Sequence, residues 1–255
     1  MLVIISPSKT MDFDRSYRDV EATEIRFPLE TELLCDVLKQ YEASELAQFM
    51  AVSDKLAKLN VERFRRWQWP YPAGEGRPAI YAFKGDVYAG FEAETLSADD
   101  VAYTQQAVRI LSGFYGLLRP LDAIMAYRLE MGRKLVTKDG ADLYEFWRDK
   151  LTALLNDDIK SGGFNALVNL SSAEYFKAID TDRVEVPVVT PVFKDYKNGV
   201  YKIIGFNAKR ARGLMTRFIV DNRLTEMEDL KAFDRGGYHF NNHLSGETEL
   251  VFTRR

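Results

Sequence analysis

Apolar residues along this chain fall into two patterns, short continuous runs and longer runs with a helical period. Continuous runs bounded by polar residues occur at 2–5, 79–83 and 166–170. Runs of this kind are typical of strands that are buried on both faces of a sheet. Two more segments, 186–193 and 200–206, flank the dipeptide Asn198-Gly199, which favours a hairpin turn. The pattern therefore predicts a mixed sheet that includes one antiparallel pair.

Segments with a helical period lie between the predicted strands. They predict helices at about 29–42, 44–51, 53–67, 98–110, 142–159 and 208–222. The break at 70–76, rich in proline and glycine, is short, and a strand-like run follows it directly, so we do not divide the chain there. Alternating strands and helices favour an α/β (α+β) fold. We expect a single domain over residues 1–255, with helices surrounding a mixed sheet.

The stretch from Arg109 to Gly132 follows neither pattern, because polar residues are set irregularly among large apolar ones. We predict a glycine hairpin between two short helices at 111–122, followed by a charged loop at 127–132. Backbone N–H groups of such a hairpin can hold a phosphate, and an exposed aromatic ring can stack on a base. The candidate DNA contacts in this stretch are Ser112, Gly113, Tyr115, Gly116, Arg119 and Arg128.

Lysines and carboxylates follow each predicted buried strand, and parallel strands bind ligands at their carboxyl ends. If those ends meet, one pocket would gather hydroxyls, lysines and acids. A lysine crowded by other cations has a lowered pKa and can act as a nucleophile or base, and a carboxylate can act as acid or base. The alternative is a structural network of ion pairs. The candidate catalytic residues are Lys9, Lys84, Asp86, Glu130, Glu174 and Lys177.

Charge is unevenly distributed, although the net charge of −3 argues weakly against a nucleic-acid partner. Six basic residues and one acidic residue lie between Lys202 and Arg223. On the predicted helix 208–222 the basic residues share the arc opposite the apolar side, with Gly213 and Thr216 at its middle. This arc could contact phosphates, or it could be an ordinary solvated face. Its candidate DNA contacts are Lys209, Arg210, Arg212 and Arg217.

Composition narrows the classes of protein to which this chain could belong. An apolar content of 46% suffices for a globular core, and no apolar run reaches the roughly 18–20 residues of a membrane helix. The single cysteine, Cys35, excludes an internal disulfide, fits a reducing cytosol and lies in an apolar-periodic segment, so we expect it in the core. His239 and His243 lie in a turn-rich tail rather than on a helix, so we expect no metal site. P-loop, GxGxxG and GxSxG motifs are absent, and we expect no cofactor.

Motifs spread over nearly the whole chain resemble those of the YaaA family of peroxide stress proteins. One departure is Ser8, where the family pattern has alanine. The matching stretches are ISPSKT (5–10), SDKLAKLN (53–60), FKGDVYAG (83–90), LSGFYGLLRPLD (111–122), YRLEMG (127–132), LYEFW (143–147), VNLSSAEYFK (168–177), PVFKDYKNG (191–199), KIIGFNAKRARGLMTRFIVDNRL (202–224) and GYHF (237–240).

The resemblance implies a cytoplasmic protein that limits peroxide damage, with lower free intracellular iron and less DNA damage. It also implies an unusual α/β fold with a helix-hairpin-helix element at 111–122 and a basic cleft that binds double-stranded or distorted DNA. Similarity of that element to DNA glycosylases suggests, as an alternative, lyase-like chemistry on a nucleobase or nucleoside-like substrate. Iron sequestration by carboxylates is a third hypothesis, without a clustered ligand motif. We expect a monomer that does not bind membranes.

Overall fold

The computed structural model of the protein describes residues 1–72 and 74–255. Within them, strands form one large sheet and two small two-stranded sheets. The strands are β1 (Leu2–Ile5), β2 (Thr10–Met11), β3 (Arg77–Pro78), β4 (Phe83–Lys84), β5 (Val108–Ser112), β6 (Gly116–Leu118), β7 (Ala123–Ile124), β8 (Leu167–Leu170), β9 (Val188–Lys197), β10 (Val200–Lys202), β11 (His239–Phe240) and β12 (Glu249–Arg254).

Helices surround the large sheet and differ widely in length. The α-helices are α1 (Pro28–Lys39), α2 (Ala43–Met50), α3 (Asp54–Arg66), α4 (Ala79–Ala82), α5 (Asp86–Phe91), α6 (Ala98–Ala107), α7 (Leu143–Gly162), α8 (Ala173–Phe176) and α9 (Gly205–Asn222). Short 3-10 helices occupy Ala93–Thr95, Thr181–Arg183, Met227–Ala232, Arg235–Gly237 and Asn242–Leu244. No helix in the described part of the chain is long and apolar enough to cross a membrane.

The large sheet is mixed, as predicted. Its order is β11-β12-β9-β8-β1-β5-β6, and β10 pairs with β9 outside this path. The strands from β12 to β5 run parallel to one another, whereas β6, β10 and β11 are antiparallel to their neighbours. The core lies on both faces of the parallel strands, and β1 is fully buried. Cys35 is also buried, as expected for a core residue.

The order of the strands creates a crevice at the carboxyl ends of two central strands. After β1 the chain goes on to β5 on one side, and after β8 it goes on to β9 on the other. In parallel α/β sheets, ligands bind outside the carboxyl ends of two strands that separate in this way. The carboxyl ends of β1 and β8 are therefore the place where the fold favours a site.

The predicted strand at 79–83 is wrong. Its first four residues form helix α4, and only Phe83 belongs to a strand, β4. All four helical residues are buried, and a short continuous apolar run does not distinguish a buried strand from a buried helical turn. The predicted helix 98–110 also ends early, because Val108 begins β5 and pairs with Val3 of β1.

The helix-hairpin-helix predicted at 111–122 is also wrong. This stretch begins in β5, turns at 113–115 and returns as β6, with Ser112 paired to Gly116. Between residues 108 and 142 the structure has no helix. Pairing of β5 with the buried strand β1 decides the conformation, because tertiary contacts outweigh local preference in strands. Gly116 has a φ of +74°, which favours glycine at the end of this turn.

Helix α9 packs against α5 more closely than its sequence suggested. A Cβ at Gly213 would overlap the carbonyl oxygen of Val87, and one at Gly90 would overlap the carbonyl oxygen of Arg210. Gly213 and Thr216 are therefore buried at a helix crossing and do not lie in the middle of an exposed basic arc. The close backbone approach is the physical reason for a glycine inside this helix.

Candidate functional site

The loops after β1 and β8 are tied together across the crevice by two serines. The backbone N–H of Ser172 donates to Ser6 Oγ at 2.8 Å, and Ser6 Oγ lies 3.4 Å from Ser172 Oγ. The Tyr88 hydroxyl donates to the Ser6 carbonyl at 3.1 Å, which links α5 to the same point. These bonds fix the start of the loop that carries Lys9.

The segment 127–132 is placed at this edge by the β5–β6 turn. A Cβ at Gly113 would lie 2.6 Å from the Leu129 carbonyl oxygen, so the glycine lets the backbone of 129–131 pass directly over it. Below this contact, Trp147 Nε1 donates to the Gly113 carbonyl at 2.9 Å. Ser112 Oγ lies 2.7 Å from the hydroxyl of Tyr127, inside the core. The turn therefore acts as a rigid support for Glu130.

Glu130 is a buried carboxylate surrounded by cations. Lys9 Nζ lies 3.2 Å and Arg128 Nη2 lies 3.0 Å from Glu130 Oε1, and Arg133 Nε lies 3.7 Å from Glu130 Oε2. The Glu130 side chain is 4% exposed, whereas that of Lys9 is 60% exposed. These four residues, which we call the Glu130 cluster, carry three positive charges and one negative charge.

The cluster keeps Glu130 ionised. Burial raises the pKa of Glu130, but the positive charges of Arg128 and Lys9 outweigh it, and the pKa lies below the usual glutamate value. Two buried atoms, Glu130 Oε2 and Arg128 Nε, form no hydrogen bond with the described residues. Both atoms are shielded from solvent, so a carboxylate and a guanidinium with incomplete hydrogen bonding lie within a site of net positive charge.

The loop after α4 extends this site. Thr10 pairs with Lys84 between β2 and β4, which puts Lys84 beside the residue that follows Lys9. Lys84 Nζ lies 3.3 Å from Asp12 Oδ2 and its side chain is 56% exposed. A Cβ at Gly85 would lie 2.8 Å from Ser8 Oγ, so the two loops touch.

A large cleft of about 1000 Å³ opens next to these loops. Its lining includes Thr10, Lys84 and Arg63 of α3, together with Met125 and Ala126, which precede the Glu130 segment. Burial and the charge of Arg128 lower the pKa of Arg63. The only side-chain acceptor that Arg63 has among the described residues is Asn60 Oδ1, at 3.4 Å. Arg63 is therefore a cation without a carboxylate partner, close to the Glu130 cluster.

Comparison with known proteins decides the family. A family model described as "Peroxide stress protein YaaA" matches residues 1–244. The chain belongs to the YaaA family. It is 46% identical over 254 residues to a UPF0246 protein of Hahella chejuensis, covering 100% of this chain and 99% of that protein. It is 48% identical over 254 residues to a UPF0246 protein of Alteromonas mediterranea, covering 100% of this chain and 98% of that protein. The family suggested by the sequence motifs is confirmed.

The six candidate catalytic residues do not form one cluster in this YaaA-family protein. Lys9 contacts Glu130, and Glu174 Oε1 accepts a hydrogen bond from Gly132 N–H at 3.0 Å. Lys84 pairs with Asp12, exposed Asp86 begins α5, and Lys177 Nζ lies 4.6 Å from the centre of the Tyr144 ring. The loops that carry Lys9, Lys84, Glu130 and Glu174 do meet at the predicted edge.

The candidate DNA contacts from the β5–β6 turn are inaccessible. Ser112 and Tyr115 are 0% exposed, and Gly113 and Gly116 are also buried, so none of the four could touch a phosphate or a base. Tyr115 instead accepts a hydrogen bond from Trp67 Nε1 at 3.1 Å. The predicted hairpin site is corrected accordingly, because a turn packed beneath the Glu130 segment has no face toward solvent.

The six cationic residues that were predicted to contact DNA lie in different environments. Arg119 and Arg217 are held by Asp122 at 2.8 Å and Asp221 at 2.6 Å, and Arg217 also donates to backbone carbonyls of the α5 end. Arg128 belongs to the Glu130 cluster. The other three lie on α9, where Lys209 and Arg210 are exposed and Arg212 is half-buried.

Sequence reasoning missed Arg63 and Arg133. Arg133 directly follows the predicted charged loop 127–132, and Arg63 lies in a predicted helix. Neither residue follows a predicted strand or belongs to a motif of known chemistry. Arg63 comes from α3, far along the chain from the sheet edge it approaches, so only tertiary structure reveals it. The one available signal was the cluster of three arginines at the end of α3, which also fits stabilisation of a helix carboxyl end.

Proposed function

We propose that this YaaA-family protein limits peroxide damage by binding DNA, with phosphates held along the Glu130 cluster and the large cleft. The observation that carries the proposal is the excess of cations around one buried carboxylate, with Arg63 lacking a carboxylate partner in the described chain. Phosphate contacts from arginine and lysine supply most of the sequence-independent affinity of DNA-binding proteins.

The lining of the cleft balances four cations against four acids, but its exposed cations favour this surface over the predicted hairpin, which is buried. Lys9 and Lys84 extend into solvent from neighbouring loops, and Arg66 is exposed beside the same cleft. Lys209 and Arg210 lie on α9, which crosses α5 directly after the Lys84 loop.

The test is DNA binding by variants that each lack one positive charge, measured by fluorescence anisotropy over a range of salt concentrations. Arg63→Gln and Lys84→Gln should each lower the affinity several-fold and reduce the slope of log affinity against log salt by about 1. Arg65→Gln is the matched control, because Arg65 lies on the same helix and pairs with Glu42 rather than lining the cleft.

Two results would contradict the proposal. One is an absence of salt-sensitive binding by the unaltered protein. The other is binding by both cleft variants that equals that of the Arg65→Gln control. If only a Lys209→Gln/Arg210→Gln variant lost affinity, the DNA surface would be α9 rather than the cleft.

We do not extend the proposal to lyase chemistry. Glu130 is held ionised by Arg128 and Lys9, which suits an electrostatic role better than proton transfer at neutral pH. Limitation of free iron likewise has no supporting contact. Within residues 1–72 and 74–255 no group of three or more His, Cys, Asp or Glu side chains is arranged to hold a metal ion.

A further inference from the structure

A second cavity, of about 570 Å³, lies at the carboxyl end of β8 and is lined by Arg212 of α9. We call it the Arg212 pocket. It shares none of its lining residues with the large cleft. Arg148 of α7 and Lys177, just after α8, add two further cations to its wall. The pocket is thus distinct from the large cleft.

Arg212 differs from the arginines that have a structural role in this protein. Arg26 and Arg109 both bind Asp158, at 2.7 Å and 2.6 Å, and Arg217 binds Asp221. The Arg212 guanidinium, by contrast, makes no ion pair or hydrogen bond with any described residue, and burial alone lowers its pKa. An arginine that is partly desolvated and unpaired destabilises the folded state unless an anion binds it.

The rest of the lining suits an anion that also carries hydroxyl groups. Asn169, Ser171 and Thr190 form a chain of polar groups, in which Ser171 Oγ donates to Asn169 Oδ1 at 2.7 Å and Asn169 Nδ2 donates to Thr190 Oγ1 at 3.3 Å. Asp180 and Asp182 also line the pocket and can accept hydrogen bonds from ligand hydroxyls.

Apolar groups complete the wall. Phe176 and Ile179 face the same cavity and can pack against the carbon skeleton of a small molecule. The volume lies within the range of about 300–1000 Å³ that is usual for small-molecule sites. A guanidinium for the anion, carboxylates for hydroxyls and an apolar wall are together the groups that recognise a phosphorylated sugar.

We propose that the Arg212 pocket binds a small phosphate monoester that carries hydroxyl groups, such as a sugar phosphate, and that Arg212 binds its phosphate. Arg212 then serves ligand binding at the expense of stability, which separates it from the structural arginines. The inference does not depend on DNA binding, since neither the pocket nor its key arginine belongs to the large cleft.

The test is thermal unfolding of the full chain with and without millimolar ribose 5-phosphate, inorganic phosphate or ribose. Ribose 5-phosphate should raise the Tm by several degrees, inorganic phosphate less, and ribose hardly at all, because binding to the native state stabilises it. Arg212→Met should raise the Tm of the free protein by a few degrees and abolish the response to both phosphates. Arg65→Met, exposed on α3 and outside both cavities, should change neither property.

Three outcomes would overturn an anion site at Arg212. The first is an unaltered protein whose Tm responds to none of the phosphates. The second is an Arg212→Met variant with a lower Tm than the unaltered protein, since that would show a structural arginine. The third is a phosphate response that survives Arg212→Met, which would place the bound phosphate elsewhere. Equal Tm responses to inorganic phosphate and ribose 5-phosphate would contradict a sugar phosphate as the ligand and would indicate a site for free phosphate.

Discussion

The carboxylate of Glu130 compensates the charge of the cations that surround it. Lys9 from the loop after β1 and two arginines from its own segment surround its carboxylate, and without it the three cations would repel one another in a partly desolvated site. A buried ion pair contributes little net stability compared with an apolar core, but removing one partner leaves uncompensated charge. Glu130 therefore holds the cations of the proposed site in place.

We predict that Glu130→Gln lowers the free energy of unfolding by about 3 kcal/mol, the lower end of the range for breaking a buried pair, because its cationic partners are partly exposed. Urea unfolding at neutral pH measures the change. Glu62→Gln is the control, since Glu62 is exposed and lines the cleft without an ion pair among the described residues. A loss below about 0.5 kcal/mol, the usual range for surface changes, would contradict the role given to Glu130.

The same carboxylate predicts how stability depends on pH. The pKa of Glu130 is lower in the folded state than the unfolded value of about 4.3. Its contribution is therefore complete above the unfolded value and is lost as the pH falls through the folded one. The difference in stability between the unaltered protein and Glu130→Gln should shrink as the pH falls below about 4. A difference that stays constant during acidification would show that Glu130 does not titrate in this way.

At the scale of elements, the sequence predicted what depends on local pattern. The strands at 2–5 and 166–170, the Asn198-Gly199 hairpin and the long helices α7 and α9 are present with small shifts in their ends. The predicted secondary structure was wrong at α4 and at the β5–β6 turn, where burial or tertiary pairing determines the conformation. At the site, the strand-end pattern pointed to Lys9 and the predicted charged loop 127–132 to Glu130. Neither pattern pointed to Arg63, which approaches the same site from helix α3.

The crossing of α5 and α9 depends on Gly213. Alanine would gain about 1 kcal/mol of helix propensity, but its Cβ would overlap the Val87 carbonyl, and backbone cannot move as a side chain can. Since overpacking costs up to about 3 kcal/mol, we expect a net loss of about 2 kcal/mol. Thermal unfolding of Gly213→Ala measures it. Gly205→Ala is the control, because a Cβ at Gly205 in the same helix has nothing within 4 Å. Equal stability of the two variants would exclude a tight crossing.

The β5–β6 turn should affect the site indirectly. In Gly113→Ala the new Cβ would lie 2.6 Å from the Leu129 carbonyl oxygen, so the segment that carries Glu130 must shift. We expect a loss of about 1–3 kcal/mol in stability and a several-fold loss in DNA affinity at fixed salt. Anisotropy titrations below the melting temperature of the variant separate the two effects. Gly246→Ala, with nothing within 4 Å of its Cβ, should bind as the unaltered protein does.

At the scale of the whole molecule, strands distant in sequence complete one sheet. β12 lies between β11 and β9 and runs parallel to β9 from the pair Glu249–Thr190 to the pair Arg254–Asp195. Parallel strands are covered on both faces, and Val251 and Phe252 of β12 are 0% exposed. The last strand is thus part of the core although the family model matches only residues 1–244.

Removal of residues 249–255 should therefore prevent stable folding. It would expose one edge of β9 and leave Phe193 and Phe233, which pack on Phe252, without their partner. Losing a buried phenylalanine alone costs about 3–5 kcal/mol, a large part of the total stability of about 5–15 kcal/mol typical of a domain. Circular dichroism and thermal unfolding should show loss of the cooperative transition. Removal of the exposed Arg255 alone should leave that transition unchanged, and a cooperative transition in the longer truncation would show that the sheet is stable without β12.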